Sequence, residues 1–389
     1  MNVLITGGAG FIGRRLAQKL VAQGTAVTVL DNLSEQVHGP GADFPRELRE
    51  LDNCRCVLGD VCDEALISGE IADKDVVVHL AAETGTGQSM YAVRRYERVN
   101  LQGTATLLDV VVNKRPARLR KLVVASSRAI YGEGKYECGQ HGVVFPLART
   151  AEAMAAGKFE PQCPVCGLEV AVLPTSEDTP FAPSSFYGLT KQTQEQMVLL
   201  FGAALGLDAF ALRYQNVYGP GQSLNNPYTG LLAVFSNLVR QGKPLNIFED
   251  GLESRDFVYI DDVVEATAAC LYKKATGTVA LNVGSGVRTN VLEVAHAVRE
   301  YFNSDVPINV SGSFRVGDIR HNVADISRIK AMTGFSPKWA FQAGLRKFLE
   351  WARTQSTGEA GFERSLAELR ERGLMSGGHT SDRTQKPSQ

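Results

Sequence analysis

Thr6-Gly7-Gly8-Ala9-Gly10-Phe11-Ile12-Gly13 is the stretch that decides the fold. It follows the apolar run Val3-Leu4-Ile5 and leads into Ile12, Leu16 and Leu20, spaced as one face of a helix that stops at Gly24. The spacing predicts a strand, a glycine turn and a helix. In such a unit Gly7 permits the tight turn, Gly10 lets the backbone approach a pyrophosphate, and Gly13 lets helix and strand pack closely. Phe11 and Ile12 then open the helix, whose N-terminus stabilises anionic charge. The next apolar run, Val27-Thr28-Val29-Leu30, ends at Asp31 and Asn32. A carboxylate at Asp31 is placed to accept hydrogen bonds from a ribose and would repel a 2′-phosphate, so NAD is favoured over NADP. The competing reading is an ordinary glycine-rich turn with Asp31 as a loop cap.

Outward from this unit, Cys56-Val57-Leu58, Val76-Val77-Val78, Leu122-Val123-Val124 and Ala209-Phe210-Ala211-Leu212 alternate with stretches of helical period. Runs apolar on consecutive residues suit strands covered on both faces. The fold expected is α/β: a Rossmann-type doubly wound parallel sheet with a smaller α+β substrate domain and a zinc-ribbon-like insertion. Residues 1–137 and 167–219 would form the NAD-binding domain, with strands near 256–283 returning to it. Residues 138–166 would be the insertion, and 220–255 with 284–353 the substrate region, where Pro220, Pro227 and Pro244 break the pattern. From 354 to 389 a polar tail is expected, with an amphipathic helix carrying Phe362, Leu366 and Leu369 and a disordered end from Ser376 to Gln389.

Composition excludes several classes. The chain has 389 residues, 44% hydrophobic, with 41 Lys and Arg against 42 Asp and Glu. This balance argues against a basic nucleic-acid face or electrostatic docking on anionic lipid. No apolar run approaches the ~20 residues of a membrane span. Met1 leads directly into the first strand without a secretory signal, so a cytoplasmic protein is expected. Seven cysteines form no obvious disulfide framework, leaving reduced thiols or a metal site.

Tyr187 and Lys191 lie four apart, on one face of a helix continuing through Met197 and Leu200. A phenol near pKa ~10 is a poor base, but a neighbouring ammonium favours phenolate. Ser126-Ser127-Arg128-Ala129-Ile130-Tyr131-Gly132 closes the fourth long strand, where an open parallel sheet presents its ligand-binding groups. Ser127 is placed to hydrogen-bond the same substrate oxygen as Tyr187. Alone, the Tyr/Lys pair reads equally as a surface helix pair.

Together these motifs resemble the extended short-chain dehydrogenase/reductase superfamily and, within it, the nucleotide-sugar epimerases and dehydratases. The resemblance covers about residues 1–350 and includes Gly59-Asp60-Val61, His79-Leu80-Ala81-Ala82, Asn100 with Gly103-Thr104, Leu212 to Pro220, Arg255-Asp256-Phe257 and Arg315-Val316-Gly317-Asp318. It implies that Asp60 and Val61 meet the adenine, that Leu80 and Ala81 meet the phosphate and ribose side, and that Asn100 supports the pocket. It implies Ser127, Asn216, Arg255 and Arg315 as substrate contacts, the arginines facing a diphosphate, whose oxygens a planar guanidinium matches. Many relatives dimerise through helices flanking the sheet, so a homodimer is expected. The family's 4,6-dehydratases carry Asp and Glu after the serine or threonine position; here Arg128 and Ala129 stand there, and the elimination machinery is missing. What remains supports redox at one carbon, as in a 4-epimerase that regenerates its own NAD.

The stretch between Ser127 and Tyr187 is much longer than in similar proteins. It holds Cys138-Gly139-Gln140-His141 and Cys163-Pro164-Val165-Cys166-Gly167, two ligand pairs at near zinc-ribbon separation. Four protein ligands imply structural zinc, with a redox Cys-x-x-Cys or incidental cysteines as the other readings. This insertion, with Asn226-Pro227-Tyr228-Thr229-Gly230, looks like the bacterial dTDP-L-rhamnose 4-epimerases, which make dTDP-6-deoxy-L-talose. The alternatives are a UDP-glucose or UDP-N-acetylhexosamine 4-epimerase, an NAD(P)H-dependent 4-keto-sugar reductase, and a non-catalytic NAD-sensing module.

Overall fold

A computed structural model describes residues 1–224, 226, 230–274, 277–356 and 361–376. Seven parallel strands form its central sheet in the spatial order Thr278–Val283, Asp208–Tyr214, Lys121–Ser127, Val76–His79, Asn2–Thr6, Ala26–Asp31 and Cys54–Leu58. The order reverses at Asn2–Thr6, whose Thr6 is in register with Leu30 on one side and His79 on the other. This is a doubly wound sheet, and its ligand crevice lies beyond the carboxyl ends of the strands at that reversal.

The expected strand runs are buried on both faces: Val3 to Ile5, Val77, Val78, Val123, Val124 and Phe210 to Leu212 are almost inaccessible to solvent. The first helix, Phe11–Ala22, lays Gly13, Leu16, Ala17 and Leu20 on the sheet. A longer helix, Phe186–Leu205, begins at Ser185, whose hydroxyl accepts from the Gly188 amide, and ends at Gly206 in the left-handed conformation with φ 68°. It carries Tyr187 and Lys191 over the strand ending at Ser127.

The later chain folds as smaller sheets. Asn216–Tyr218, Ser254–Tyr259 and Arg288–Asn290 form one, and Leu245–Ile247 pairs with Ile308–Val310. Of the stretch expected to return to the main sheet, only Thr278–Val283 joins it. The insertion has its own antiparallel sheet of Gly142–Val144, Tyr136–Cys138 and Ala171–Val172, so it starts before Cys138 and runs past Cys166. The tail from Thr354 includes the helix Gly361–Glu371, and Met375–Ser376 pairs antiparallel with Phe314–Arg315. Leu369 and Met375 are buried, so this part of the tail packs on the fold. Residues beyond Ser376, and Pro227, Tyr228 and Thr229, lie outside the described residues. Among the described residues, no helix is long and apolar enough to cross a membrane.

Candidate active site

A cavity of about 650 Å³ opens at the sheet reversal, lined on one side by the glycine turn and on the other by the later chain. At the turn, Gly7 has φ +66°, and a Cβ there would lie 2.7 Å from the Ala81 amide nitrogen. At Gly13 a Cβ would meet the Gly8 Cα at 2.5 Å. Both positions admit only glycine, for the reasons the motif predicts. Asp31 is buried and already oriented, accepting from the Ala9 amide at 3.0 Å and the Leu33 amide at 2.9 Å. Gly7, Gly10, Phe11, Ile12, Asp31, Asn32, Val61, Leu80 and Ala81 all line the cavity.

Gly13, Asp60 and Asn100 are not among the lining residues. The carboxylate of Asp60 instead accepts from the Cys62 amide and pairs with Arg98 at 2.9 Å. Asn100 is fully buried behind the wall, accepting from the Glu83 amide at 2.8 Å and donating to Thr190 Oγ1 at 2.9 Å. It braces the wall against the helix that carries Tyr187.

Ser127, Tyr187 and Lys191 converge on the cavity. The Lys191 ammonium donates to the Ala125 carbonyl at 2.9 Å, and desolvation brings its pKa down to about 7. Burial pushes the Tyr187 phenol up, while hydrogen bonding with Ser127 and the charge of Arg128 pull the other way. Asn216, Arg255 and Arg315 line the opposite side. Arg255 Nη1 donates to the Ser254 and Arg320 carbonyls, each at 2.9 Å, and Arg315 pairs with Asp318 at 2.7 Å.

Among the described residues, five that line the cavity hold buried polar atoms without a hydrogen-bond partner: Arg128 Nη1, both amide atoms of Gln215, Asn216 Oδ1, Gln222 Oε1 and Glu253 Oε2. Unsatisfied buried groups cost stability unless a ligand completes them, so this wall is built for a polar occupant. Sequence reasoning noted Arg128 only as a missing carboxylate and passed over Gln215, Gln222 and Glu253. A cation directly after Ser127 was the available signal for Arg128. His38 also lines the cavity, with Nε2 3.6 Å from Asp31 Oδ1. The fit to a dinucleotide is close: a glycine turn no Cβ could occupy, the N-terminus of a 12-residue helix and an oriented carboxylate lie along one wall.

In the insertion, ligand atoms of Cys138, His141, Cys163 and Cys166 all lie within 4.8 Å of one another. Cys138 Sγ is 3.5 Å from His141 Nδ1 and 3.7 Å from Cys166 Sγ, and Cys163 Sγ is 3.6 Å from His141 Nδ1. Tetrahedral zinc with ordinary bond lengths requires about 3.6 Å between sulfur and nitrogen and about 3.8 Å between sulfurs. The donor set therefore fits zinc. A redox Cys-x-x-Cys ordinarily opens a helix, whereas here Gly167 (φ +73°) turns the chain so that its amide donates to the Cys163 carbonyl at 2.9 Å.

The profile of the NAD dependent epimerase/dehydratase family matches residues 3–160 and 163–284. The dTDP-L-rhamnose 4-epimerase of Burkholderia thailandensis is 36% identical over 353 residues, covering 90% of this chain and 94% of that protein. The structure of UDP-glucose 4-epimerase from Thermotoga maritima with UDP-glucose superposes with a TM-score of 0.72 at 29% identity, covering 91% of this chain and 99% of that one. That of UDP-glucose 4-epimerase from Thermus thermophilus in complex with NAD gives 0.71 at 28% identity, covering 92% and 100%.

Proposed function

The chain belongs to the NAD dependent epimerase/dehydratase family, and from that premise we propose that it interconverts dTDP-L-rhamnose and dTDP-6-deoxy-L-talose through a transient 4-keto sugar. It is an NAD-dependent nucleotide-sugar epimerase. The observation that carries the reaction class is the convergence of Ser127, Tyr187 and Lys191 beside the glycine turn, with Arg128 and Ala129, not carboxylates, lining the next positions.

When bound, NAD supplies a hydride acceptor and donor for one sugar carbon. The phenol of Tyr187 takes the proton of the 4-hydroxyl, and Ser127 hydrogen-bonds the same oxygen. Lys191, docked on the Ala125 carbonyl, favours phenolate while it carries its proton. Arg255 and Arg315 neutralise the diphosphate and hold the nucleotide while the keto sugar turns its other face. No carboxylate follows Ser127 to act as acid or base across C5 and C6, which supports epimerisation over dehydration.

Incubation with dTDP-L-rhamnose and no added cofactor is expected to yield the C4 epimer, resolved by proton NMR. Product only from UDP-glucose would favour the second reading, a UDP-hexose 4-epimerase, which the likeness to the Thermotoga maritima enzyme supports. A requirement for stoichiometric NAD(P)H would replace both with a reductase.

The same reading assigns Cys138, His141, Cys163 and Cys166 to a structural zinc with no open position. The apolar cluster around the knuckle is small, namely Tyr136, Cys138, Val144, Cys163 and Val170, so metal ligation supplies folding free energy there. Elemental analysis of protein purified without added zinc is expected to find about one ion per chain, lost in Cys163→Ser. Leu189 and Leu200, exposed on the helix of Tyr187, support a homodimer, which light scattering would test.

A further inference from the structure

We propose that the cysteine-rich insertion positions the substrate-side arginines, so that metal binding at the knuckle tightens nucleoside-diphosphate binding in the cavity. This rests on the assignment of Arg255 and Arg315 to the diphosphate made above.

The observation is a chain of buried contacts. Between His141 and Cys163, the innermost pair of knuckle ligands, the polypeptide makes a loop whose two ends one ion would clamp together. That loop carries Arg149 and Glu160, which grip one segment of the substrate region, Asp318 to His321. Arg149 is almost wholly buried. Its guanidinium donates to the Asp318 carbonyl at 2.9 Å, to Glu133 at 3.1 Å, to Glu249 at 2.8 Å and to the Phe159 carbonyl of its own loop at 3.1 Å. Glu160 accepts from Arg320 Nε at 2.8 Å and lies 3.1 Å from His321 Nε2. Arg320, 0% exposed, is further held by Asp250 and Glu249, and its amide donates to Glu133 at 2.8 Å.

The gripped segment orients both arginines. The carbonyl of Arg320 accepts from Arg255 Nη1 at 2.9 Å, and the carboxylate of Asp318 accepts from Arg315 Nε at 2.8 Å. The insertion is therefore linked to the cavity wall through the segment that anchors Arg255 and Arg315. Releasing the clamp frees the loop's ends, and the entropy of closing the loop must then be met by its ion pairs alone. Buried charges that lose partners are costly, so the segment rearranges and the arginines lose their orientation.

The test is calorimetric binding of dTDP and UDP, and separately of NAD⁺, to the full-length protein. The forms compared are wild type as purified, wild type stripped by chelator, stripped protein with Zn²⁺ restored, Cys163→Ser, Glu160→Gln and Arg255→Ala. Stripping, Cys163→Ser and Glu160→Gln are each expected to weaken the nucleoside diphosphate about tenfold while NAD⁺ affinity stays within about twofold. Restored Zn²⁺ should recover the stripped wild type. Unchanged dTDP and UDP binding in the stripped protein and in Glu160→Gln, with Arg255→Ala weakened, overturns the coupling alone. Equal loss of NAD⁺ binding also overturns it, in favour of general unfolding. Unweakened binding by Arg255→Ala overturns the arginine assignment first, and the coupling with it.

Discussion

The two walls of the cavity differ in how complete they are. On the glycine-turn side, the Ala9 and Leu33 amides orient Asp31 with acceptor capacity to spare, and Asn100 is held by Glu83 and Thr190. On the other, Arg128, Gln215, Asn216, Gln222 and Glu253 carry buried polar atoms without hydrogen-bond partners. The first wall is organised by its own backbone before any ligand arrives. The second holds buried polar groups that a bound substrate would complete, and groups of this kind cost stability until they are paired. A cofactor retained through turnover suits the first arrangement, and a sugar that must turn over and leave suits the second.

Tyr187 stands between the walls and gives the largest expected effect. Tyr187→Phe should lower kcat by about a thousandfold with NAD content and melting temperature unchanged. A fall of similar size in NAD binding would show that the residue belongs to the first wall rather than to the reaction.

A paired substitution probes the contrast itself. Asp31→Ala removes the acceptor of two buried amides, so stability should fall by about 1–3 kcal/mol together with NAD⁺ affinity. Gln215→Leu removes two unsatisfied atoms, so denaturant melts should show equal or greater stability while KM for the nucleotide sugar rises several-fold. If both variants lose stability and affinity together, the walls are alike and the contrast fails.

The smallest effect is a pH dependence. Desolvation raises the Glu253 carboxyl to about 7, so it is neutral below that pH and anionic above it. The new negative charge lies beside Arg255, and dTDP affinity should fall a few-fold as pH rises through about 7. Glu253→Gln should flatten the curve; a slope unchanged in the variant would assign the titration elsewhere.

These differences also explain what the sequence made legible. The first wall comes from contiguous residues, Thr6 to Gly13 and Asp31, whose roles follow from local backbone geometry. Tyr187 and Lys191 were legible by helical spacing, and the Cys/His quartet by paired spacing. The second wall is assembled from positions as distant as Arg128, Gln215 and Glu253, each unremarkable in its own neighbourhood. The grip of Arg149 and Glu160 on residues 318–321 depends on pairing across 160 residues or more, which no periodicity encodes. Asp60, a motif position read as an adenine contact, also pairs with Arg98, a partner that the local sequence does not signal. The tail was read from composition as polar and partly disordered, yet Met375–Ser376 finds a strand partner that only the fold brings near.

The insertion leaves and rejoins the chain at neighbouring points. The Leu173 amide donates to the Lys135 carbonyl at 2.9 Å, and Tyr136 is in register with Val172. A segment whose ends are a single hydrogen bond apart can be gained or lost by a gene in one event, without moving Ser127 or Tyr187 on either side. The cysteine-rich segment thus sits at a seam that leaves both catalytic residues in place, while its contacts with residues 318–321 tie it to the cavity wall.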